Sequence, residues 1–192
     1  MSKRFVLNTG KQIPWLGFGT GSSLSGRDAA NLASQAIQHG ITHLDGAQMY
    51  NNEDTLGAGI KLSGKLRSEL FVTTKLNGKA LQPGQTIKDS LKLSLQKLGL
   101  DYVDLFLIHD PTPATKESDA KLADWWKQME RVHTEGLAHS IGVSNFTVQD
   151  LKVVLESGTV VPAANQVGFN LIKSNHSDKR QDRTSSICLE RC

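Results

Sequence analysis

ITHLDGAQMY, residues 41–50, runs apolar to Leu44, then places an aspartate, Asp45, at its end and a tyrosine, Tyr50, in the loop beyond. The same figure recurs along the chain. LFVTTK (70–75) is a β-branched run ending on Lys75, and YVDLFLIH (102–109) is the most apolar run and ends on His109. HSIGV (139–143) leads to Asn145, and PAANQV (162–167) carries Gln166. Each run has the length and residue types of a strand. WLGFGT (15–20) supplies one more, and Phe5–Leu7 with Ile13, joined by Asn8-Thr9-Gly10, reads as a small hairpin before it.

Helical patterns separate the strands. Ser25-x-x-Asp28 reads as a capping box, followed by Leu32, Ala33, Ala36 and Ile37 on one face and a stop at Gly40. Leu56, Ile60 and Leu62 mark a second helix. Ile87, Leu91, Leu95 and Leu98 mark a third, closed by Gly99, and Leu122, Trp125, Met129 and Val132 a fourth, closed by Gly136. Thr147-x-x-Asp150 caps a fifth, holding Leu151, Val154 and Leu155. Strand and helix alternate from end to end, which implies parallel strands with right-handed crossovers. The polar residues then choose the architecture. Asp45, Lys75, His109, Asn145 and Gln166 all fall at or just past the C-terminal ends of strands, where barrel enzymes build their sites. The expected fold is α/β, of (β/α)8 TIM-barrel type, with about six of eight βα units present. A dinucleotide-binding Rossmann unit is the competing reading, but Gly17, Gly19 and Gly21 do not have the G-x-G-x-x-G spacing, and the helix starts well after them.

Composition narrows the function classes. The chain has 192 residues, 38% of them hydrophobic, and a net charge of +3. Its basic residues form no stripe through the body, so nucleic acid is not the expected partner. No segment has the run of roughly 18 apolar residues that a membrane helix needs, so a membrane is not expected either. The two cysteines, Cys188 and Cys192, provide no disulfide framework, and a cytoplasmic location is the natural expectation.

Asp45, Tyr50, Lys75 and His109 make chemical sense as a set. A phenol with a pKa near 10 gives its proton up poorly at neutral pH unless its anion is stabilised. An ammonium does that, a buried ammonium needs a carboxylate, and a histidine can orient the oxygen that receives the proton. Together they form a general acid for carbonyl reduction, with the hydride supplied by a cofactor. Taken singly, each also has a plain structural reading: a loop tyrosine, an ion pair, a strand-end histidine. A metal-dependent hydrolase built on Asp45 and His109 would need further His and carboxylate ligands at strand ends, and these are missing.

Longer motifs agree. Gly40-Ile-Thr-His-Leu-Asp45-Gly-Ala with Glu53 and Leu56-Gly57, VTTKL (72–76), LGLDYVDLFLIHDP (98–111), SIGVSNF (140–146) and NQV (165–167) together resemble the aldo-keto reductase family over about residues 5–167. The resemblance implies Tyr50 as general acid, Lys75 as the neighbour that makes it acidic, Asp45 as the carboxylate bridging to Lys75, and His109 as the substrate-orienting group. It further implies NADPH as cofactor, with Ser144, Asn145 and Gln166 on its carboxamide and Gly19 and Thr20 beside it. A small-molecule aldehyde or ketone would be the substrate. Departures are also visible: Asp110 stands where many relatives carry a pocket tryptophan, Ile41-Thr42 replaces an aromatic-arginine pair, and His139 replaces a longer residue.

After Val167 the pattern stops. Residues 168–192 have no helical period and carry five basic side chains against three acidic ones. The expected division is an incomplete barrel domain over 1–167 and a divergent, disordered basic tail over 168–192. Within the tail, Lys173 and Ser174 resemble the family's site for the 2′-phosphate of NADPH, although relatives place that motif after the eighth strand. Two functions follow: an NADPH-dependent carbonyl reductase, or a truncated fragment without activity that at most associates with other chains.

Overall fold

The structure is a computed structural model and describes residues 3–168 together with the backbone of 187–190. It opens with an antiparallel hairpin, β1 (Arg4–Val6) and β2 (Gln12–Pro14). Six parallel strands follow in sequential order: β3 (Gly17–Gly19), β4 (His43–Asp45), β5 (Phe71–Leu76), β6 (Leu105–Ile108), β7 (Ile141–Ser144) and β8 (Asn165–Gly168). Helices α1 (Ala30–Gln38), α2 (Glu53–Ser63), α3 (Ile87–Leu98), α5 (Asp119–Thr134) and α6 (Val148–Ser157) fill the successive crossovers. A single extra turn, α4 (Thr112–Thr115), precedes α5. This is the expected (β/α)-barrel order, in part.

The sheet is strongly curled. Gln166 on β8 donates to Asp45 on β4 over 2.8 Å, yet three strands lie between them. In a flat sheet with strands about 4.8 Å apart, those two residues would stand roughly 19 Å apart. Alternation along the strands then sorts side chains into an inner and an outer set. Leu44, Val72, Leu76, Phe106, Ile108 and Val143 join the large core beneath the helices, whereas Phe71, Leu105 and Leu107 form a small inner core with Leu7, Ile13 and Ala163. Leu7 and Ile13 come from the hairpin end of the chain, which therefore plugs the N-terminal mouth. Asp45, Lys75 and His109 share the inner parity of their strands and sit at the opposite mouth.

Several helix expectations change. The Ser25-x-x-Asp28 box does not start α1: that helix begins at Ala30, and Asp28 Oδ1 accepts from the Ala30 N–H over 2.9 Å. Gly26 at φ +69° interrupts the path between. The buried stripe of α1 is Ala33, Ser34 and Ile37, while Leu32 is 47% exposed. Small residues win there because α2 packs closely: a Cβ on Gly59 would lie 2.6 Å from the Ala30 oxygen. Leu62 and Leu155 are likewise exposed. The Thr147 box is present, with Thr147 Oγ1 accepting from Asp150 and Asp150 accepting from the Thr147 N–H.

The tail, expected to lack regular structure, contributes one strand, β9 (Ile187–Glu190). It pairs antiparallel with β8, from Asn165↔Glu190 to Gly168↔Ile187. The open edge of β8 presents unpaired N–H and C=O groups that template such pairing. Lys173 and Ser174 lie outside the described residues.

Candidate active site

β4 ends in Asp45 and β5 in Lys75-Leu76, so the two charges approach at the sheet mouth with almost no solvent: each residue is 2% exposed. Lys75 Nζ donates to Asp45 Oδ1, to the Gly46 carbonyl (2.9 Å) and to Tyr50 Oη (3.4 Å). Burial, the largest influence, pushes the Lys75 ammonium toward losing its proton, but the charge and hydrogen bonding of Asp45 and Tyr50 together outweigh this and hold its pKa above the ordinary lysine value. Burial likewise pushes the Asp45 carboxyl up, yet Lys75, with hydrogen bonds from Lys75 and Gln166, holds it below the usual carboxylate range. The pair is ionised, and its Lys75 end faces a phenol oxygen.

Tyr50 is delivered by the loop after β4. A 3-10 turn spans Gln48–Tyr50, and Asn51 follows at φ +51°. Gln48 pins this turn: its Oε1 accepts from the Asn77 N–H (2.7 Å), two residues beyond Lys75, and its Nε2 donates to Ser90 and Ser94 on α3. Asn52 donates to the Thr20 and Leu24 carbonyls, and the Gly26 N–H donates to the Tyr50 carbonyl. Gly21 lies against the phenol: a Cβ there would meet the Tyr50 Cζ at 2.9 Å. Two anchors, two residues before the phenol and two after the ammonium, thus fix their separation.

His109 meets the Tyr50 ring edge-on, with centroids 5.5 Å apart. Burial first, and the Lys75 charge second, lower its pKa to about 4, so the imidazole is neutral at pH 7. Its Nδ1 is buried and has no partner among the described residues. Tyr50, Lys75, Asp45 and His109 are therefore brought together as the sequence suggested.

The candidate cofactor residues line the neighbouring strand ends. Gly19 is exposed, and a Cβ there would meet nothing within 4 Å. Thr20 is buried, with its N–H on the Asp45 carbonyl (3.0 Å). Asn145 takes φ +60°, a strained conformation for a side-chain-bearing residue. It donates from Nδ2 to the His109 carbonyl and to Ser144 Oγ. Ser144 Oγ in turn donates to the Gln166 carbonyl (2.7 Å). Gln166 is turned into the barrel toward Asp45, and its Oε1 is buried without a partner among the described residues. Asp110 is engaged locally, accepting from the Thr112 N–H that opens α4.

Sequence reasoning missed a buried polar box behind the acid. Glu53 accepts from Thr74 Oγ1 (2.6 Å) and Ser94 Oγ (3.2 Å), and Ser94 also meets Gln48. Burial raises the Glu53 pKa above the ordinary value. A signal was available: Ser90 and Ser94, four apart, interrupt the apolar face of α3. His139 belongs to a different cluster, stacked on Tyr102 at 4.1 Å, with Arg67 over the same ring. Among the described residues, no group of three or more His, Cys, Asp or Glu side chains could hold a metal ion. No helix of the described residues is long and apolar enough to cross a membrane.

A parallel, curled sheet carries a tyrosine, lysine, aspartate and histidine at its C-terminal mouth, and comparison with known proteins supplies the lineage. The chain belongs to the Aldo/keto reductase family, whose profile matches residues 15–190. It is 35% identical over 168 residues to the NAD/NADP-dependent indole-3-acetaldehyde reductase of Schizosaccharomyces pombe, covering 84% of this chain and 57% of that protein. It is 37% identical to the glyoxal reductase of Bacillus subtilis, covering 85% of this chain and 57% of that protein. Against an aldo-keto reductase of Bombyx mori solved in complex with NADP, the TM-score is 0.77 at 34% identity, covering 88% of this chain and 58% of the other. The chain thus spans less than two thirds of the length of these relatives. An aldehyde reductase of Saccharomyces cerevisiae aligns over 214 positions with 99% of this chain at 35% identity, covering 65% of the relative. Those aligned positions outnumber the 192 residues here, so the relative carries segments inside the aligned span that this chain lacks.

Proposed function

We propose that the chain reduces an aldehyde or ketone to an alcohol with NADPH, using Tyr50 as general acid. The observation that carries this is the phenol oxygen of Tyr50 standing 3.4 Å from a buried ammonium that is itself paired with Asp45. The names of the relatives support the substrate class, and the NADP complex of the Bombyx mori protein supports the cofactor.

The residues present suit a nicotinamide cofactor. Gln166 Oε1 and His109 Nδ1 are buried polar atoms lacking a partner among the described residues, and Gly19 leaves open space at the same mouth. Asn145, Ser144 and Gln166 would hold the carboxamide, Gly19 and Thr20 would lie alongside, and Lys173 with Ser174 would meet the 2′-phosphate; the family match reaching residue 190 favours that last assignment. When bound, NADPH supplies the hydride. The chain itself manages the proton. Tyr50 Oη donates it to the carbonyl oxygen as that oxygen gains charge, and the phenolate left behind faces Lys75 Nζ. Neutral His109 offers an N–H to the same oxygen and adds no second positive charge. The domain itself is read as 1–167 with a tail over 168–192 that carries β9.

Titration of NADPH into the purified chain, followed by its oxidation with a reactive aldehyde, tests the proposal. Binding with turnover that falls by about a thousandfold or more in Tyr50→Phe is the expected outcome, within the range general acids contribute. The segments missing from within the aligned span favour one alternative, an inactive fragment that at most associates with other chains. Absence of NADPH binding at millimolar concentration would establish that alternative.

A further inference from the structure

Gln166 is held from both sides. Its backbone carbonyl accepts from Ser144 Oγ (2.7 Å) and from the Asn145 N–H (3.1 Å), which fixes β8 to the end of β7. Its side chain then crosses the mouth to Asp45 Oδ2. The orientation of the amide follows from chemistry: Asp45 is ionised against Lys75 and accepts only, so Nε2 must face it, and Oε1 must face away. Asp45 consequently has one donor on each oxygen, Lys75 on Oδ1 and Gln166 on Oδ2. Two donors on opposite oxygens set the plane of a carboxylate, and that plane sets where Lys75 Nζ stands relative to Tyr50 Oη. The other end of the amide is a buried acceptor without a donor among the described residues, and Gln166 is 6% exposed.

We propose that Gln166 is a positioning residue for proton transfer, holding Asp45 and through it Lys75 and Tyr50. Occupation of its free oxygen by the nicotinamide amide reinforces that hold, so that cofactor binding aligns the acid. The inference rests on the reductase reading and extends it from binding to proton transfer. Polarisation is the physical link: an amide that accepts at oxygen donates more strongly at nitrogen, as in any chain of hydrogen bonds.

The test compares wild type with Gln166→Glu and Gln166→Met at saturating NADPH and a reactive aldehyde. Gln166→Glu keeps an acceptor for the cofactor but sets a carboxylate against Asp45. Its kcat at pH 8 and saturating NADPH falls about 10- to 100-fold, the loss expected for one hydrogen bond to a charged group. Acid restores it: kcat of Gln166→Glu climbs as pH falls, because a protonated carboxyl donates to Asp45 as the amide does. Gln166→Met, with neither donor nor acceptor, loses both affinity and kcat and gains nothing from acid. A wild-type kcat in Gln166→Glu, or no rescue by acid, overturns the inference and leaves Gln166 a cofactor ligand only. A wild type that neither binds nor oxidises NADPH removes the reductase reading instead, and with it the inference. Should both variants fail to fold, the side-chain amide of Gln166 in wild type decides, followed by NMR after Gln-selective 15N labelling. Displacement of that signal by NADPH supports the coupling, and an unmoved signal overturns it.

Discussion

Replacing Asp45 with Asn removes one charge from a buried pair and leaves the other without a counter-ion. Lys75 is 2% exposed, and its remaining hydrogen bonds go to the Gly46 carbonyl and the Tyr50 oxygen. Breaking such a pair from one side costs about 3–5 kcal/mol, a large part of the roughly 5–15 kcal/mol that holds a domain folded. The pH dependence gives a sharper signature than the loss itself. In the wild type the Lys75 pKa is raised, so the pair's stabilisation is fully present below the unfolded lysine value near 10.4 and is lost as pH rises through the folded one. Asp45 is depressed, so the same stabilisation is present above the unfolded carboxylate value near 3.9 and is lost as pH falls through the folded one. These are two views of one interaction and count once. In Asp45→Asn, burial, already the largest influence on Lys75, is opposed by Tyr50 alone, and the folded pKa of Lys75 should fall below the unfolded value. The variant then gains stability as pH rises from 7 toward 10, where the wild type gains none from this group. Urea midpoints at pH 7 and pH 9 read the difference. Asp45→Asn/Lys75→Met, with no charge left to bury, recovers most of the loss. Parallel pH slopes for wild type and Asp45→Asn, or additive losses in the double variant, would refute the reasoning.

Other expectations concern neighbouring groups. His109 titrates at about 4 when folded and near 6.5 when unfolded, so the unfolded state takes up the proton first on acidification. His109→Gln should therefore remove about 2–3 kcal/mol of stability loss between pH 6.5 and 4, visible as a flatter urea-midpoint profile. Glu53 has the opposite sign: its pKa is raised, so stability falls as pH rises past the unfolded glutamate value. Glu53→Gln keeps a partner for both Thr74 and Ser94 and should melt at or above the wild-type temperature at pH 7, whereas Glu53→Ala, which removes the acceptor of both hydroxyls and leaves Ser94 only its bond from Gln48, should lose about 1–3 kcal/mol. Gly78 faces the Trp125 ring so closely that a methyl group would overlap it. Gly78→Ala should cost about 1–3 kcal/mol by overpacking, measured by thermal melting.

The parts of this structure that were legible in the sequence are those fixed by local periodicity. An apolar strand ending in a polar residue says both where the strand stops and which face that residue takes. Asp45, Lys75 and His109 were found in this way, and Tyr50 followed from its place in the loop. The start of α1 was misread because Ser25 and Asp28 have capping-box spacing, and spacing cannot reveal that Gly26 turns the chain between them. Leu32 shares a face with Ala33, Ala36 and Ile37 by spacing, yet it stands exposed, because α1 and α2 pack through Ala30, Ala33 and Gly59. The strand Ile187–Glu190 was missed for a tertiary reason: four residues flanked by polar sequence carry little intrinsic signal, and the open edge of β8 supplies the template.

The bond between Gln166 and Asp45 could not have been read from sequence, because it joins positions 121 residues apart across the mouth of the curled sheet. Its existence bears on how much of a barrel the proton-transfer apparatus needs. Every side chain of that apparatus comes from β4, β5, β6 or β8 or from the loop after β4, and each of those strands is hydrogen-bonded to the next through β7. Curl is fixed locally, by the twist between neighbours and by the inner core of Leu7, Ile13, Phe71, Leu105, Leu107 and Ala163. These strands and that plug, with β9 paired along β8, bring Gln166 to Asp45. Recovery of kcat by acid in Gln166→Glu at saturating NADPH is the signature of that bond, because it follows the return of a donor to Asp45.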